Sequence, residues 1–390
     1  MSTTLTIERQ NGNVPKSLQG EDHITGIMAY IAAADVPASF KEQRIQALST
    51  IEAAEQAGIV DTEGTAWPVR VLYYHLSELY RINPAVSLYV GIFDKPAKQT
   101  FAEIKSMQNY AGGTLRQLGV WCGDTVLSAD DLTAIQGHAD TLTEQGAELS
   151  VVYQPKVSAV QTLPDLAGEN KSRVSVVIGQ AGSGTGAELY KDAANTAAAT
   201  VGGLGVVLGL ISRAKVHQCI AWVREFPTGV SLPAFGDGTE LRNLDKAIVE
   251  QLDKRRYLFF VTKQGQAGSY MNDSHTMDSA ISDYAAIESV RTMDKAVRGI
   301  RTYLIPELGG NVYVDASTGK LASYTVSHLE TVAGHALEDM ERAGELSGYK
   351  VEIDPDQNVA ATSTVEIVIK NVAVGVMRHV KVEIGFAVSV

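Results

Sequence analysis

Residues 347–390 read SGYKVEIDPDQNVAATSTVEIVIKNVAVGVMRHVKVEIGFAVSV, and this stretch decides the fold. Its end alternates without a break. Val380, Val382, Ile384, Phe386, Val388 and Val390 point one way, while Lys381, Glu383, Gly385, Ala387 and Ser389 point the other. A period of two is that of a β-strand with one apolar face. A strand running to the last residue needs a partner. Chain ends fray unless tied down, and an unpaired apolar edge invites aggregation. It must pair with its own sheet or with another molecule. Upstream, Val365, Ile367 and Ile369 alternate with Glu366 and Lys370 and predict a further strand.

Two helices precede these strands. The first spans roughly 284–304, where Val290, Met293, Val297, Ile300 and Leu304 recur at steps of three and four. Arg291, Lys295 and Arg298 fall on the opposite face. Pro306 and the Gly309-Gly310 pair stop it. The second opens at Ser327-His328-Leu329-Glu330, a capping-box pattern. It continues through Leu329, Val332, Ala336 and Met340 to Gly344.

Outward from this region, strands and helices alternate, the signature of a parallel α/β sheet. Residues 24–31 are apolar and read as strand or helix. Helices are predicted at 40–57, 66–82, 100–110 and 130–145, with strands at 87–93, 118–122 and 149–153. A strand at 173–178 leads to a mostly helical 187–213 and a strand at 219–223. A helix at 241–252 and a buried strand at 257–261 follow. At the start, Leu5 and Ile7 alternate with Thr4, Thr6 and Glu8, so both ends read as strands. They either pair locally or each add to a neighbour by β-augmentation.

Composition excludes several classes. A net charge of −12 argues against nucleic acid, whose phosphates need clustered Lys and Arg. Cys122 and Cys219 alone make no disulfide framework and read as buried thiols of a reducing compartment. No basic segment followed by an apolar core opens the chain. The apolar run 197–211 is too short to span a bilayer.

No stretch carries an intact catalytic or metal motif. Gly179-Gln180-Ala181-Gly182-Ser183-Gly184-Thr185-Gly186 follows a strand and precedes a helix, where phosphate loops sit. Yet Thr185 stands where the P-loop Lys belongs and Gly186 where Ser or Thr belongs. Asp354, Asp356 and Asn358 mimic an EF-hand opening, but Val359 replaces its Gly and Val365 its Glu, so a tight turn is the reading. His328 and His335 lie two turns apart, and His217, Cys219, His23 and His75 have no partner cluster. No cofactor is implied. The alternative to a structural protein is an α/β enzyme binding a phosphorylated small molecule at Gly179–Gly186.

The order helix, helix, "SGYKVEID", "TVEIVIKNVAVG" and "VKVEIGFAVSV" resembles the C-terminal domain of contractile tail sheath proteins of phage tails, R-type pyocins and contractile injection systems. "LTIERQNGNVPKSLQGEDHITGIMAYI" (5–31), and "VSVVIGQ" through "AKVHQCIAWV" (174–223), are similar to the start and middle of a small-sheath branch. The resemblance implies an α/β (α+β) fold of mixed sheets with flanking helices, its C-terminal domain completed by strands exchanged between subunits. It implies a linking arm at 1–20, an α/β body at 21–270, a C-terminal sheath domain at 271–378 and a linking strand at 379–390. Leu5, Ile7, Val380, Val382, Ile384, Phe386 and Val388 would be the inter-subunit residues. Arg291, Lys295 and Arg298, with Arg301 at the edge, would face an inner tube protein. The second helix, with Glu338, Asp339, Glu341 and Glu345, competes for that role; the other possibility is a solvated surface paired locally with Glu288 and Asp294. The implied particle is a homo-oligomer of hexameric rings in a helical stack, with baseplate and terminator or cap proteins as partners. It takes no nucleic acid, inserts in no membrane and is assembled in the bacterial cytoplasm.

Overall fold

Residues 25–31 become the centre of the molecule because every side chain there is buried. The computed structural model describes residues 21–386, and in it these residues form strand β1, Thr25–Ile31. With it run β2 (Ile45–Leu48), β3 (Leu88–Asp94), β4 (Gln117–Val126), β5 (Ser150–Lys156) and β6 (Val174–Val176). The sheet order is β2-β3-β1-β4-β5-β6. β1 pairs in parallel with β3 and β4, β4 with β5, and β5 with β6, while β2 is an antiparallel edge on β3. Parallel strands need crossovers, and these cover both faces with helices.

The pleat divides β1 between two cores. Ile27, Ala29 and Ile31 face the helices Trp67–Ile82 and Leu204–Arg213. Met28 and Tyr30 face the helices Glu103–Tyr110 and Ala129–Glu144. Trp67–Ile82 begins with Pro68 in its first turn, where a missing N–H costs nothing. Its crossing with Leu204–Arg213 is so close that a Cβ on Gly205 would stand 2.1 Å from the His75 carbonyl oxygen.

Several expectations are corrected. The predicted helix over 40–57 is broken into helices Ala38–Glu42 and Ile51–Gln56 with β2 between them. Ile45 joins one core and Leu48 the other, so the three-residue step is a strand straddling the sheet. Thr50 then caps the second piece by accepting from Ala53 N. The helical reading of 187–213 becomes Thr185–Lys191 and Leu204–Arg213; Gly202, at φ +82°, lies in the break. Residues 219–223 form turns, not a strand, with Trp222 N donating to Cys219 O. Of 257–261 only Phe260–Val261 is a strand.

The C-terminal part is a smaller unit. A basic helix, Ile287–Leu304, packs on an acidic helix, Ser323–Arg342, and on an antiparallel hairpin of Leu346–Glu352 and Val368–Ala373. Ala296, Leu337, Met340 and Leu346 are its core. Gly299 lets the helices approach: a Cβ there would lie 2.7 Å from the Ala336 Cβ. The acidic helix starts before the predicted capping box. Ser327 is already inside it, and Glu330 accepts from Ile353 N of the hairpin connection instead of reaching back. Among the described residues no helix is long and apolar enough to cross a membrane.

A Gly205→Ala chain should lose about 3 kcal/mol of stability, the upper range for overpacking against atoms that cannot swing aside. Urea unfolding followed by circular dichroism checks this, with the midpoint shifting at unchanged slope.

Candidate functional site

The face of the basic helix that carries Glu288, Arg291, Asp294 and Arg298 is buried. It lies on the α/β body, so each charge there has lost water and needs a partner. Arg291 donates to the carbonyls of Ala214 and Lys215, just past the end of Leu204–Arg213, and to the Asp22 carbonyl at 3.1 Å. A cation suits the negative end of a helix. Lys295 lies 2.7 Å from Asp22 and 2.8 Å from Glu345. Arg298 donates to Asp22 at 3.0 Å, and Arg301 to Glu148 at 2.7 Å. Arg173 reaches across from the body and grips Asp294 with two bonds of 2.9 Å. The fork-on-carboxylate geometry is the strongest form of this pairing.

The residues expected to face a tube, Arg291, Lys295, Arg298 and Arg301, lie along this seam. These cations already have partners inside the chain, and Arg291 is only 4% exposed. Glu345 is buried on Lys295, Asp339 accepts from Tyr303, and Glu338 pairs with Arg342. Val290 of the predicted apolar stripe is buried, whereas Val297 is exposed.

Burial and charge act against each other here. Burial alone would raise the Asp22 pKa, but Lys295, Arg298 and Arg291 outweigh it and hold the carboxyl below its usual range. Burial drives Arg291 down to about 10. Lys295 is raised, because Asp22 and Glu345 overcome the desolvation that would lower it.

A second cluster sits at the first turn of the same helix. Arg378 donates through Nε to both oxygens of Asp273 at 3.0 Å, and through Nη2 to Glu288 at 2.6 Å and Ser274 at 3.3 Å. Beyond it the chain leaves the body. Val380, Val382 and Ile384 are 67%, 76% and 96% exposed, and Phe386 is fully exposed. Among the described residues, 379–386 form no strand and pair with no sheet. The hairpin Leu346–Glu352/Val368–Ala373 likewise has no further strand on either edge among the described residues. Leu5, Ile7 and Val388 lie outside the described residues.

Three glycines of 179–186 are closely packed, and the fourth, Gly184, sits in open space at φ +66°. A Cβ on Gly179 would meet the Phe259 backbone at 2.9 Å, and one on Gly186 the Tyr74 hydroxyl at 2.8 Å. The donors at the following long helix are taken from within. Gln180 Oε1 accepts from Val201 and Gly202, Gln154 Oε1 from Gly203, and His75 Nδ1 from Gly205. Burial holds His75 down at about 3, so its ring is neutral and free to accept. Asp354 accepts from Asp356 N and Asn358 from Ala361 N, as turn and cap residues do, while Lys320 pairs with Asp356. Among the described residues no group of three His, Cys, Asp or Glu side chains could hold a metal ion. Both cysteines are free and buried.

Asp22, Glu148, Arg173, Asp273 and Arg378 were missed by sequence reasoning. The available signal was the mixture of both signs on one helix face, which is a poor solvent face and a good buried seam.

Solved structures of contractile sheath proteins share this fold. The anti-feeding prophage helical sheath in its contracted state matches with a TM-score of 0.61 at 13% identity, covering 99% of this chain and 99% of that chain. The sheath complex of the extracellular contractile injection system PVC, also contracted, matches at 0.63 and 12%, covering 100% and 98%. A sheath tail protein from Desulfitobacterium hafniense matches at 0.52 and 8%, covering 96% and 100%. No curated protein matches the sequence. Two family models match, described as DUF2586, N-terminal domain, over residues 11–275, and DUF2586, C-terminal domain, over residues 283–390; the chain belongs to the DUF2586 family.

Asp22→Asn should cost roughly 3 kcal/mol at pH 7, because it leaves buried cations without their carboxylate. The native Asp22 pKa lies below the 3.8 of the free side chain. Its contribution is thus complete above that value and is lost as pH falls through the native pKa. Urea unfolding at stepped pH should show wild type and variant converging below about 3.8.

Proposed function

We propose that this chain is the structural subunit of a contractile sheath, with no catalytic role. It polymerises as stacked hexameric rings around an inner tube and contracts to drive the tube through a target envelope. The observation that carries the reading is the arm beyond Arg378. It presents four apolar side chains on one period-two face, all exposed, in a chain that shares its fold with sheath proteins over nearly its whole length. An exposed apolar segment of that kind is a liability in a solitary monomer. It is an asset if a second copy of the same chain offers a sheet edge, and the two-stranded hairpin offers one. Two strands alone make a marginal sheet. Strands added by neighbours, 379–390 at one end and 1–20 at the other, would extend it by β-augmentation.

On this reading contraction is a rigid-body change between two packings of subunits, with the arms as hinges that keep the lattice connected. The energy is stored in the extended lattice, and nucleotide hydrolysis has no part. The partners are further copies of the chain, an inner tube protein, and baseplate and terminator or cap proteins. Assembly takes place in the bacterial cytoplasm, as part of a phage tail or related contractile particle. The alternative, an enzyme with a phosphate loop at Gly179–Gly186, finds little support in glycines that are pressed against Phe259 and Tyr74.

Deleting Lys381–Val390 tests the proposal. The truncated protein should keep the circular dichroism and unfolding midpoint of the full chain, since the removed described residues touch no core. It should sediment as a single subunit under conditions where the full chain forms hollow tubes visible by negative-stain electron microscopy. Tubes built by the truncated protein would refute the linking role of the arm.

A further inference from the structure

Both ends of the described chain are tied to one helix. At the front, Asp22 holds Lys295 and Arg298 with its carboxylate and Arg291 with its carbonyl, and neighbouring Glu21 accepts from Arg116 at 2.7 Å. At the back, Arg378 is held by Glu288 on the helix, and by Asp273 and Ser274 beside it. Beyond Arg378 the only ion pair among the described residues is Lys381–Glu383, within the arm itself. From Glu288 to Arg298 the helix runs about 15 Å, a stiff rod on this scale.

The placement of these ties matters mechanically. Residue 22 lies three positions before Thr25, where the central strand β1 begins. Without the Asp22 pairs, tension at the front end would fall directly on β1. At the back, Ala373 ends the outer strand of the hairpin. Without Arg378, tension would peel that strand from Leu346–Glu352. Each tie stands between an arm and the strand it would otherwise unzip. Separate clamps, Arg173–Asp294 and Arg301–Glu148, fasten the helix to the body.

We propose that the basic helix is the junction between the two linking arms. A load arriving from one neighbour through the front arm passes from Asp22 along the helix to Glu288, and leaves through Arg378 into the other arm. Asp22 and Arg378 are then positioning residues for assembly. The inference rests on the reading of the two ends as linking arms.

Full-length Asp22→Asn, Arg378→Gln and Arg342→Gln chains test it, each first checked for a folded circular dichroism spectrum. The readout is the concentration above which tubes pellet. Asp22→Asn and Arg378→Gln should raise it at least tenfold, and Arg378→Lys should recover part of the loss. Arg342→Gln, exposed on the neighbouring helix, paired with Glu338 of that same helix and outside the line of load, should stay within about twofold of wild type. Should Asp22→Asn fail to fold, Arg298→Gln takes its place, since it leaves Asp22 on Lys295. Wild-type behaviour of Arg378→Gln, or an equal defect in Arg342→Gln, overturns the junction. If deletion of Lys381–Val390 blocks assembly while Arg378→Gln does not, the junction fails and the linking arm stands. If the deletion also forms tubes, the linking reading itself has failed.

Discussion

Arg291, Lys295, Arg298 and Arg301 sit on a helix pressed against the rest of the subunit, and most of the structure's arrangement follows from the need to satisfy them. The carboxylates come from three distant places in the chain: Asp22 before the first strand, Glu148 before the fifth, and Glu345 after the acidic helix. Arg291 has no carboxylate oxygen of its own and relies on carbonyls, three of them, at a helix end and at Asp22. Removing one member of such a group strands a buried charge, so the group holds as a unit. It orients the smaller C-terminal unit on the α/β body.

That body was largely legible in the sequence, and the reasons are physical. β1, β3, β4 and β5 are buried on both faces, so they read as short apolar runs. Trp67–Ile82 and Ala129–Glu144 are long and amphipathic, so their period survives. The failures are where tertiary context overrules a local pattern. Ile45 and Leu48 keep a helical spacing, yet β3 needs an edge partner and draws them into a strand. Ser327 and Glu330 have the residues of a capping box, but Glu330 is wanted by the hairpin.

The charged seam was illegible for a different cause. A row of Arg and Lys opposite an apolar stripe reads as a solvent or partner face, because nothing local says that Asp22 or Glu148 will be folded against it. Gly299 and Ala296, small residues beside that row, were the hint that both faces of the helix are packed. Period-two alternation predicts a strand at Val380 to Phe386, but among the described residues 379–386 form none, and no edge of the same subunit receives them.

The central claim is that this arm completes a sheet in another copy of the chain. Electron cryomicroscopy of assembled protein, at a resolution that traces the backbone, addresses it most directly. The account predicts helical tubes in which residues 380–390 of one subunit lie as a strand against the hairpin Leu346–Glu352/Val368–Ala373 of a neighbour. Tubes in which that segment folds back on its own hairpin, or lies against no strand at all, would contradict it.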